Sequence, residues 1–356
     1  MQNYMPRLDG LRAVAVGIVL VTHFWSALLP GEIGVRIFFV LSGYLITRIL
    51  LGYRKTSLSV GKAAAHFYWR RFLRLTPALY MAIACAAAFG IANMRKDWWA
   101  HALYLTNFLT AYRGGWGPAT HLWTLAVEEQ FYILWFFIVV ALPKRWLVPI
   151  ILASILIAPF FRAWSVSIGH RFLSTLLPGA FDFLAAGALL AYAEVENLWL
   201  TIRRTAASPL VTIAAFLVLA LSSMIRQIYE WRIISSSATI ILTASVILSV
   251  SMVEKNKLLD WLAWTPIRYC GRISYGIYVY HFFVPMLILL VFPNFGTILM
   301  VSRGGGIVRF AFLSVVTLLI AHFSWILVER PLLSLRDKQW KIGHNEREKI
   351  RISTPT

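Results

Sequence analysis

Long apolar stretches recur along this chain from near its first residue almost to its last. Ten are long enough to cross the roughly 30 Å hydrocarbon core of a bilayer as helices. They occupy residues 8–29, 33–52, 74–92, 123–142, 146–163, 173–193, 207–226, 234–253, 272–293 and 306–328. A shorter apolar piece within 95–121 suits a re-entrant or interfacial helix. The pattern therefore predicts an all-α, polytopic membrane protein with about ten transmembrane helices.

The apolar stretches leave no gap that would mark a second folded domain. We expect residues 1–335 to form one transmembrane domain and the charged residues 336–356 to form a disordered cytoplasmic tail. A second stretch follows the first almost at once, and no small-residue cleavage site separates them. The pattern therefore favours an uncleaved first helix over a signal peptide.

Composition supports a membrane protein and argues against a nucleic-acid partner. Only 14% of residues are charged, whereas soluble domains have nearer a quarter. The net charge of +19 is high enough to suggest nucleic acid, but Lys and Arg accumulate in cytoplasmic loops of membrane proteins. Placing both termini in the cytoplasm puts most of these residues on that side. We therefore expect lipid contacts and no nucleic-acid partner. Cys85 and Cys270 offer neither a disulfide framework nor a metal-ligand spacing.

The first apolar stretch carries Asp9, Arg12 and His23. Ionisable groups within a span are unfavourable and commonly functional. Arg12 and His23 are eleven residues apart, so on a helix they share a face with a rise of about 16 Å between them. Asp9 is placed to pair with Arg12 at i, i+3. One helix face thus offers a fixed cation at one depth and a titratable imidazole at another.

Basic residues also cluster where the third span begins. Arg71 and Arg74 share a helix face, and arginine suits bidentate binding of phosphate. The alternative interpretation is a positive membrane anchor that contacts lipid headgroups.

Two adjacent carboxylates, Glu128 and Glu129, lie within the fourth span. Counting 1.5 Å per residue from the span ends places Glu128 about 8 Å and His23 about 9 Å from the outer surface. This equal depth predicts a His–Glu pair, with a buried glutamate that serves packing alone as the alternative.

Taken together, these motifs resemble one family. They are R-L-D-G-L-R-A at 7–13 with His23, F-F-V-L-S-G-Y-L-I at 38–46, Arg71 with Arg74, W-T-L-A-V-E-E-Q-F-Y at 123–132, R-I-S-Y-G-I-Y-V-Y-H at 272–281 and E-R-P at 329–331. In this order they are similar to the acyltransferase 3 family of bacterial membrane O-acyltransferases. Thr124 stands where that family usually has serine, and the hydroxyl is retained.

The resemblance implies an enzyme of the bacterial inner membrane that uses acyl-coenzyme A from the cytoplasm. The acyl group, most often acetyl, would pass to a hydroxyl of an extracytoplasmic glycan. Arg12, Arg71 and Arg74 would bind the donor, and its pantetheine arm would run along the first helix to His23. His23 would act as general base with Glu128 orienting its ring. A covalent acyl-imidazole is the less favoured alternative.

Six further residues are weaker predictions for the substrate site or the channel: Asp9, Ser42, Trp123, Asp182, Tyr275 and His281. No metal is expected. A proton-coupled transporter using the intramembrane His, Glu and Asp groups is the main alternative function. Transporters commonly show inverted repeats and broken helices in pairs, and the sequence shows neither.

Overall fold

The computed structural model describes residues 5–25, 31–224, 229–252, 259–301 and 306–335. These residues form helices and turns and include no β-strand, so the prediction of an all-α protein is confirmed for them. The predicted tail, residues 336–356, lies outside the described residues.

Seventeen α-helices follow one another along the described chain. Their bounds are α1 Pro6–Phe24, α2 Gly31–Arg54, α3 Val60–Ala88, α4 Met94–Ala102, α5 Thr106–Arg113, α6 Trp123–Val140, α7 Leu147–Ser167, α8 Phe181–Val195, α9 Leu200–Ala206, α10 Pro209–Met224, α11 Tyr229–Met252, α12 Thr265–Arg272, α13 Ser274–Tyr280, α14 Phe283–Val291, α15 Pro293–Val301, α16 Gly306–Ser324 and α17 Arg330–Ser334. A π-helical turn, Trp325–Glu329, connects α16 to α17.

Four helical segments in the described chain are long and apolar enough to cross a membrane. They are Gly31–Arg54, Thr120–Val140, Lys144–Ser167 and Gly306–Ser334. The count rises to six if α9 with α10 and α13 with α14, which bend by 56° and 51°, each form one span. Helices α1 and α3 are also long, but their arginines make them less apolar. The sequence thus locates most of the long helices. It does not predict that the stretch 272–293 is broken, or that the stretch 173–193 begins in two 3₁₀ turns, Arg171–Thr175 and Leu177–Ala180, before α8.

Helix α1 lies between two apolar clusters and contributes to both. Leu8, Leu11 and Ala15 belong to a cluster built mainly on α2, α6 and α8. Val19 and Phe24 belong to a second cluster with α3, α13 and α16. Because both sides of α1 are packed, the positions of its charged residues are fixed against the rest of the bundle.

Helices α2 and α8 approach so closely that each needs glycine at the contact. A Cβ on Gly43 would come within 1.9 Å of the Leu184 carbonyl oxygen, and a Cβ on Gly187 within 2.0 Å of the Val40 carbonyl oxygen. Small residues allow this kind of backbone contact between membrane helices. Gly43 therefore serves helix packing, whereas the neighbouring Ser42 lines a cavity.

The short helices α4 and α5 occupy the region predicted to be re-entrant or interfacial. They are joined by a two-pronged ion pair in which Arg113 donates to both oxygens of Asp97 at 2.7 and 2.8 Å. This contact lowers the pKa of Asp97. Nearby, the buried His101 forms a hydrogen bond with the Thr106 hydroxyl at 2.9 Å. Burial lowers the pKa of His101 to about 4.

We predict that Gly43→Ala destabilises the protein. A methyl group at this position must displace the Leu184 backbone, and overpacking of this kind typically costs about 1–3 kcal/mol. Thermal unfolding of detergent-purified protein measures the loss. Gly17→Ala is the matched control, because a Cβ on Gly17 meets nothing within 4 Å. Equal unfolding temperatures for the two variants would contradict the prediction.

We also predict that His101 makes stability depend on pH. Its pKa is below the ordinary 6.5 in the folded chain, so the unfolded chain binds the proton first as the pH falls. Stability is therefore full above about pH 6.5 and decreases by roughly 2 kcal/mol as the pH falls toward 4. Asp97 stays ionised over this range because its pKa is lowered by Arg113.

Unfolding temperatures across this pH range check the prediction. His101→Phe should flatten the profile, since phenylalanine binds no proton. If His101→Phe keeps the pH dependence of stability seen in the parent, other titratable groups cause that dependence.

Candidate functional site

Two adjoining cavities lie beside α1. The smaller, of about 70 Å³, we call the arginine cavity; its charged side chains are Arg12, Arg71, Arg74, Arg272 and Glu128. The other, of about 860 Å³, we call the large cavity, and His23 is part of its wall. Val35, Phe39 and Tyr278 line both cavities. The first helix thus contributes its cation to one cavity and its imidazole to the other.

Helix α3 supplies two arginines to the arginine cavity because Arg71 and Arg74 lie three residues apart on one face. The guanidinium of Arg71 lies 5.2 Å from the ring centre of Tyr132 and 5.8 Å from that of Phe67. Such cation–π contacts hold the group in place while leaving N–H donors available.

Arg272 is a fourth arginine of this cavity. It begins the motif at 272–281, but the sequence analysis assigned it no role in the site. Helices α12 and α1 touch through their backbones. A Cβ on Gly271 would come within 1.7 Å of the Asp9 carbonyl oxygen, and the next residue is Arg272. On α1 itself, Arg12 and Asp9 are 3.8 Å apart, as the i, i+3 spacing predicts.

The positive charge of the arginine cavity exceeds its negative charge. Among the described residues, Arg71, Arg74 and Arg272 have no carboxylate within ion-pair distance. Glu128 accepts a hydrogen bond from the Ser42 hydroxyl, and that hydroxyl also lies 3.0 Å from the Tyr132 hydroxyl. The cavity therefore offers donors and net positive charge to an anion.

The structure does not bring Glu128 to His23. Glu128 lines the arginine cavity, whereas His23 lines the large cavity and bonds to the carbonyl of Val19. The expected pair assumed a first span reaching residue 29, but helix α1 ends at Phe24. His23 therefore belongs to the last helical turn, nearer the end of its helix than the predicted span implied.

One ring nitrogen of His23 is hydrogen-bonded to the backbone, and the other is available to accept a proton. Its Nδ1 lies 2.9 Å from the Val19 carbonyl oxygen. A carbonyl only accepts hydrogen bonds, so in the neutral ring Nδ1 carries the proton and Nε2 has a lone pair. The side chain is exposed on the wall of the large cavity. This is the tautomer that a general base needs.

Two further imidazoles accompany His23, and each also has one nitrogen held by the backbone. His281, fully buried, lies 5.0 Å from His23 and 5.1 Å from His121 between ring centres. Its Nδ1 bonds to the Tyr278 carbonyl at 2.6 Å. His121 Nε2 bonds to the Val279 carbonyl at 3.2 Å. The other nitrogens, His281 Nε2 and His121 Nδ1, have no hydrogen-bond partner.

Aromatic side chains line much of the large cavity. Trp123, predicted as a site residue, lies 6.4 Å from Trp116 and 6.0 Å from Phe39 between ring centres. Phe282 is stacked on His121 at 5.0 Å. Together with the imidazoles, these rings form a mostly apolar wall on which a few polar atoms are placed.

Asp182 forms an ion pair with an arginine of the large cavity. It is 5% exposed and accepts two hydrogen bonds from Arg162, at 2.9 and 2.6 Å. Arg162 lines the large cavity, as does Arg36, which pairs with Glu32 at 3.3 Å. Arg36 and Arg162 were missed by the sequence analysis. Their signal was a charge inside an apolar stretch, the feature that singled out Arg12.

Of the remaining predicted residues, Tyr275 and Ser42 line the arginine cavity, whereas His281 lies behind His23 and lines neither cavity. Among the described residues, no group of three or more His, Cys, Asp or Glu side chains could hold a metal ion.

Comparison with known proteins gives a family match over nearly the whole chain. The model of the family described as "Acyltransferase domain" matches residues 5–326. No solved structure matches this chain significantly.

Curated relatives are similar over most of this chain. The chain is 30% identical to "Peptidoglycan O-acetyltransferase OatA" of Listeria monocytogenes over 93% of its own length and 56% of that protein. It is 29% identical to "Putative peptidoglycan O-acetyltransferase YrhL" of Bacillus subtilis, over 93% of this chain and 55% of the relative. It is 26% identical to "O-acetyltransferase OatA" of Staphylococcus aureus, over 79% and 50%. The chain thus spans about half the length of these relatives.

Proposed function

The chain belongs to the acyltransferase family whose model it matches, and from this premise we propose that it is an integral-membrane O-acetyltransferase. Its acceptor is a hydroxyl of a cell-envelope glycan, and its donor is acetyl-coenzyme A or another acyl-coenzyme A. The names of the relatives, two of them peptidoglycan O-acetyltransferases, support the acceptor class.

The proposed topology has about ten spans in the bacterial inner membrane, with both termini in the cytoplasm. This orientation follows from the concentration of Lys and Arg in one set of loops. It places the Arg12 end of α1 toward the cytoplasm and the His23 end toward the outer surface, so that donor and acceptor approach from opposite sides.

The observation that carries the proposal is the adjacency of the two cavities along α1. The arginine cavity has an excess of guanidinium groups suited to phosphate, and the large cavity has His23 in the base tautomer. The rise of about 16 Å from Arg12 to His23 is comparable to the length of a pantetheine arm. A donor held by its phosphates at one end therefore reaches the imidazole with its thioester.

Arg12, Arg71 and Arg74 bind the donor phosphates in this proposal, and Arg272 adds a fourth cation. At about 70 Å³, the arginine cavity is too small for a whole nucleotide. In this proposal it holds the phosphates and the start of the arm, and the nucleoside lies at the entrance. Tyr275 lines this passage.

The chemical step is direct transfer. The acceptor oxygen bonds to the thioester carbonyl carbon while its proton passes to Nε2 of His23. The carbon–sulfur bond then breaks, and the sulfur takes up the proton from His23. Val19 holds Nδ1–H throughout, which keeps Nε2 directed to the reacting hydroxyl.

Glu128 has a different role here from the one its sequence depth suggested. It accepts a hydrogen bond from Ser42 and balances part of the positive charge of the arginines. Asp182 keeps Arg162 in place on the large cavity, where Trp123 provides an apolar face for the sugar ring.

We predict that His23→Ala lowers kcat by about 10²–10⁴-fold, the usual contribution of a general base. Acyl-coenzyme A turnover with an envelope-glycan acceptor, measured in nanodiscs, checks this. His170→Ala is the control, because His170 is exposed and lines neither cavity. Turnover by His23→Ala at the parental rate would overturn the assignment of His23 as the base. If a labelled acyl group is trapped on the protein in the absence of acceptor, transfer follows the covalent route instead of the direct one.

We predict that Arg71→Ala combined with Arg74→Ala weakens coenzyme A binding by about 100-fold, because each charge-assisted hydrogen bond contributes roughly 1.5–3 kcal/mol. Calorimetric titration at low and high salt measures it, and the salt dependence should become shallower. Arg145→Ala with Arg204→Ala removes the same charge from exposed positions and should leave affinity nearly unchanged. If both double variants bind alike, Arg71 and Arg74 are membrane anchors.

A further inference from the structure

Arg309 is the one formally charged residue of α16 when histidine is counted as neutral, and its half-buried side chain reaches the end of α1. Its Nε donates to the Phe24 carbonyl oxygen at 2.8 Å, and its Nη2 lies 3.4 Å from the Trp25 carbonyl oxygen. The last carbonyls of an α-helix have no partner within the helix. A guanidinium at this end also complements the partial negative charge of the helix dipole. Arg309 therefore caps the helix that carries His23.

The first turn of α16 packs against the same end of α1. The ring centre of Phe310 lies 5.8 Å from that of Trp25, and a Cβ on Gly306 would come within 3.3 Å of Trp25 Cδ1. Phe24 is 1% exposed, and its ring centre lies 6.2 Å from that of His281. The end of α1 is thus held by ring contacts as well as by the arginine cap.

The orientation of His23 depends on this last turn. His23 directly precedes Phe24, and its Nδ1 bonds to the Val19 carbonyl oxygen of the same helix at 2.9 Å. This bond joins residues four apart, which one turn of α-helix brings together. If α1 unwinds from Trp25 backwards, the bond is lost and the imidazole is free to point elsewhere.

We propose that Arg309 is a positioning residue for the transfer step, because it keeps the last turn of α1 wound and so directs Nε2 of His23 to the acceptor hydroxyl. The inference rests on the proposed role of His23 as general base. Misplacement of a reacting group by about 1 Å can lower a rate by as much as 10²-fold. The effect of Arg309 belongs in kcat rather than in donor binding, since Arg12 lies twelve residues before Phe24, about 18 Å along the axis.

Two measurements on Arg309→Ala in nanodiscs test the proposal. Acyl transfer to an envelope-glycan acceptor should show kcat lowered by about tenfold or more, with the affinity for coenzyme A unchanged. Amide hydrogen exchange of the peptide that covers the end of α1 should be faster, as expected for local unfolding. Arg309→Lys keeps the charge but has one nitrogen for two carbonyls, so its kcat should lie between those of Arg309→Ala and the parent. The lysine variant also serves if the alanine variant does not fold.

Arg95→Ala is the matched control. Arg95 caps α3 in the same manner, donating from Nε and Nη2 to the Ala87 and Ala88 carbonyl oxygens at 2.9 and 3.0 Å, and it lines neither cavity. Its removal should speed exchange at the end of α3 and leave kcat at the parental value. A loss of kcat confined to Arg309→Ala is then not explained by the loss of a helix cap alone.

Parental kcat in Arg309→Ala would overturn the positioning role. Equal losses of kcat in Arg309→Ala and Arg95→Ala would overturn it as well, and so would a lower kcat without faster exchange at the end of α1. Failure of the proposed function is seen separately, as absence of acyl transfer by the parent protein. That result removes the positioning role, whereas hydrogen exchange still reports whether Arg309 caps α1.

Discussion

The unfavourable burial of arginine in an apolar bundle is the constraint on which this structure depends. Removing one partner of a buried ion pair commonly costs about 3–5 kcal/mol, and several arginines of the bundle have carboxylate partners. Arg162 has Asp182, Arg48 has Glu194 and Arg36 has Glu32. The arginine cavity differs from these pairs. Among the described residues, three of its four guanidinium groups have no carboxylate within ion-pair distance, and this excess of positive charge favours an anion.

Close backbone contacts make this concentration of charge possible. Gly271 allows α12 to touch α1 at Asp9, and Gly43 and Gly187 allow α2 to touch α8. The first contact carries Arg272 into the cavity, and the second places Ser42 beside Glu128. These helix contacts thus fix the backbone positions from which Arg272 and Ser42 reach the cavity. Dense packing on both sides of α1 gives the same fixed position to Arg12.

The sequence was informative about single helices and much less so about relations between them. Helical periodicity alone places Arg12 and His23 on one face, and it places Arg71 beside Arg74. The partner of Glu128 was not accessible in this way, because depth along a span fixes neither where a helix ends nor how it is rotated. Helix α1 ends at Phe24, so the depth counted from residue 29 was not the depth of His23. The break between α13 and α14 was likewise missed, because a bend leaves the apolar composition of a stretch unchanged.

Tyr278 lies at the junction between the two cavities, which Val35 and Phe39 also line. Its hydroxyl bonds to Thr124 at 2.8 Å and to the His121 carbonyl at 3.0 Å. Its own carbonyl accepts from His281 at 2.6 Å. The partition between the cavities is therefore tied to α6 through Thr124 and to the imidazole cluster through His281. In the proposed reaction, the thioester comes from the arginine cavity and meets the acceptor at this partition. His23 lies on the side of the large cavity. The fixed wall, rather than the motion of His23, then determines which acceptor atom is acylated.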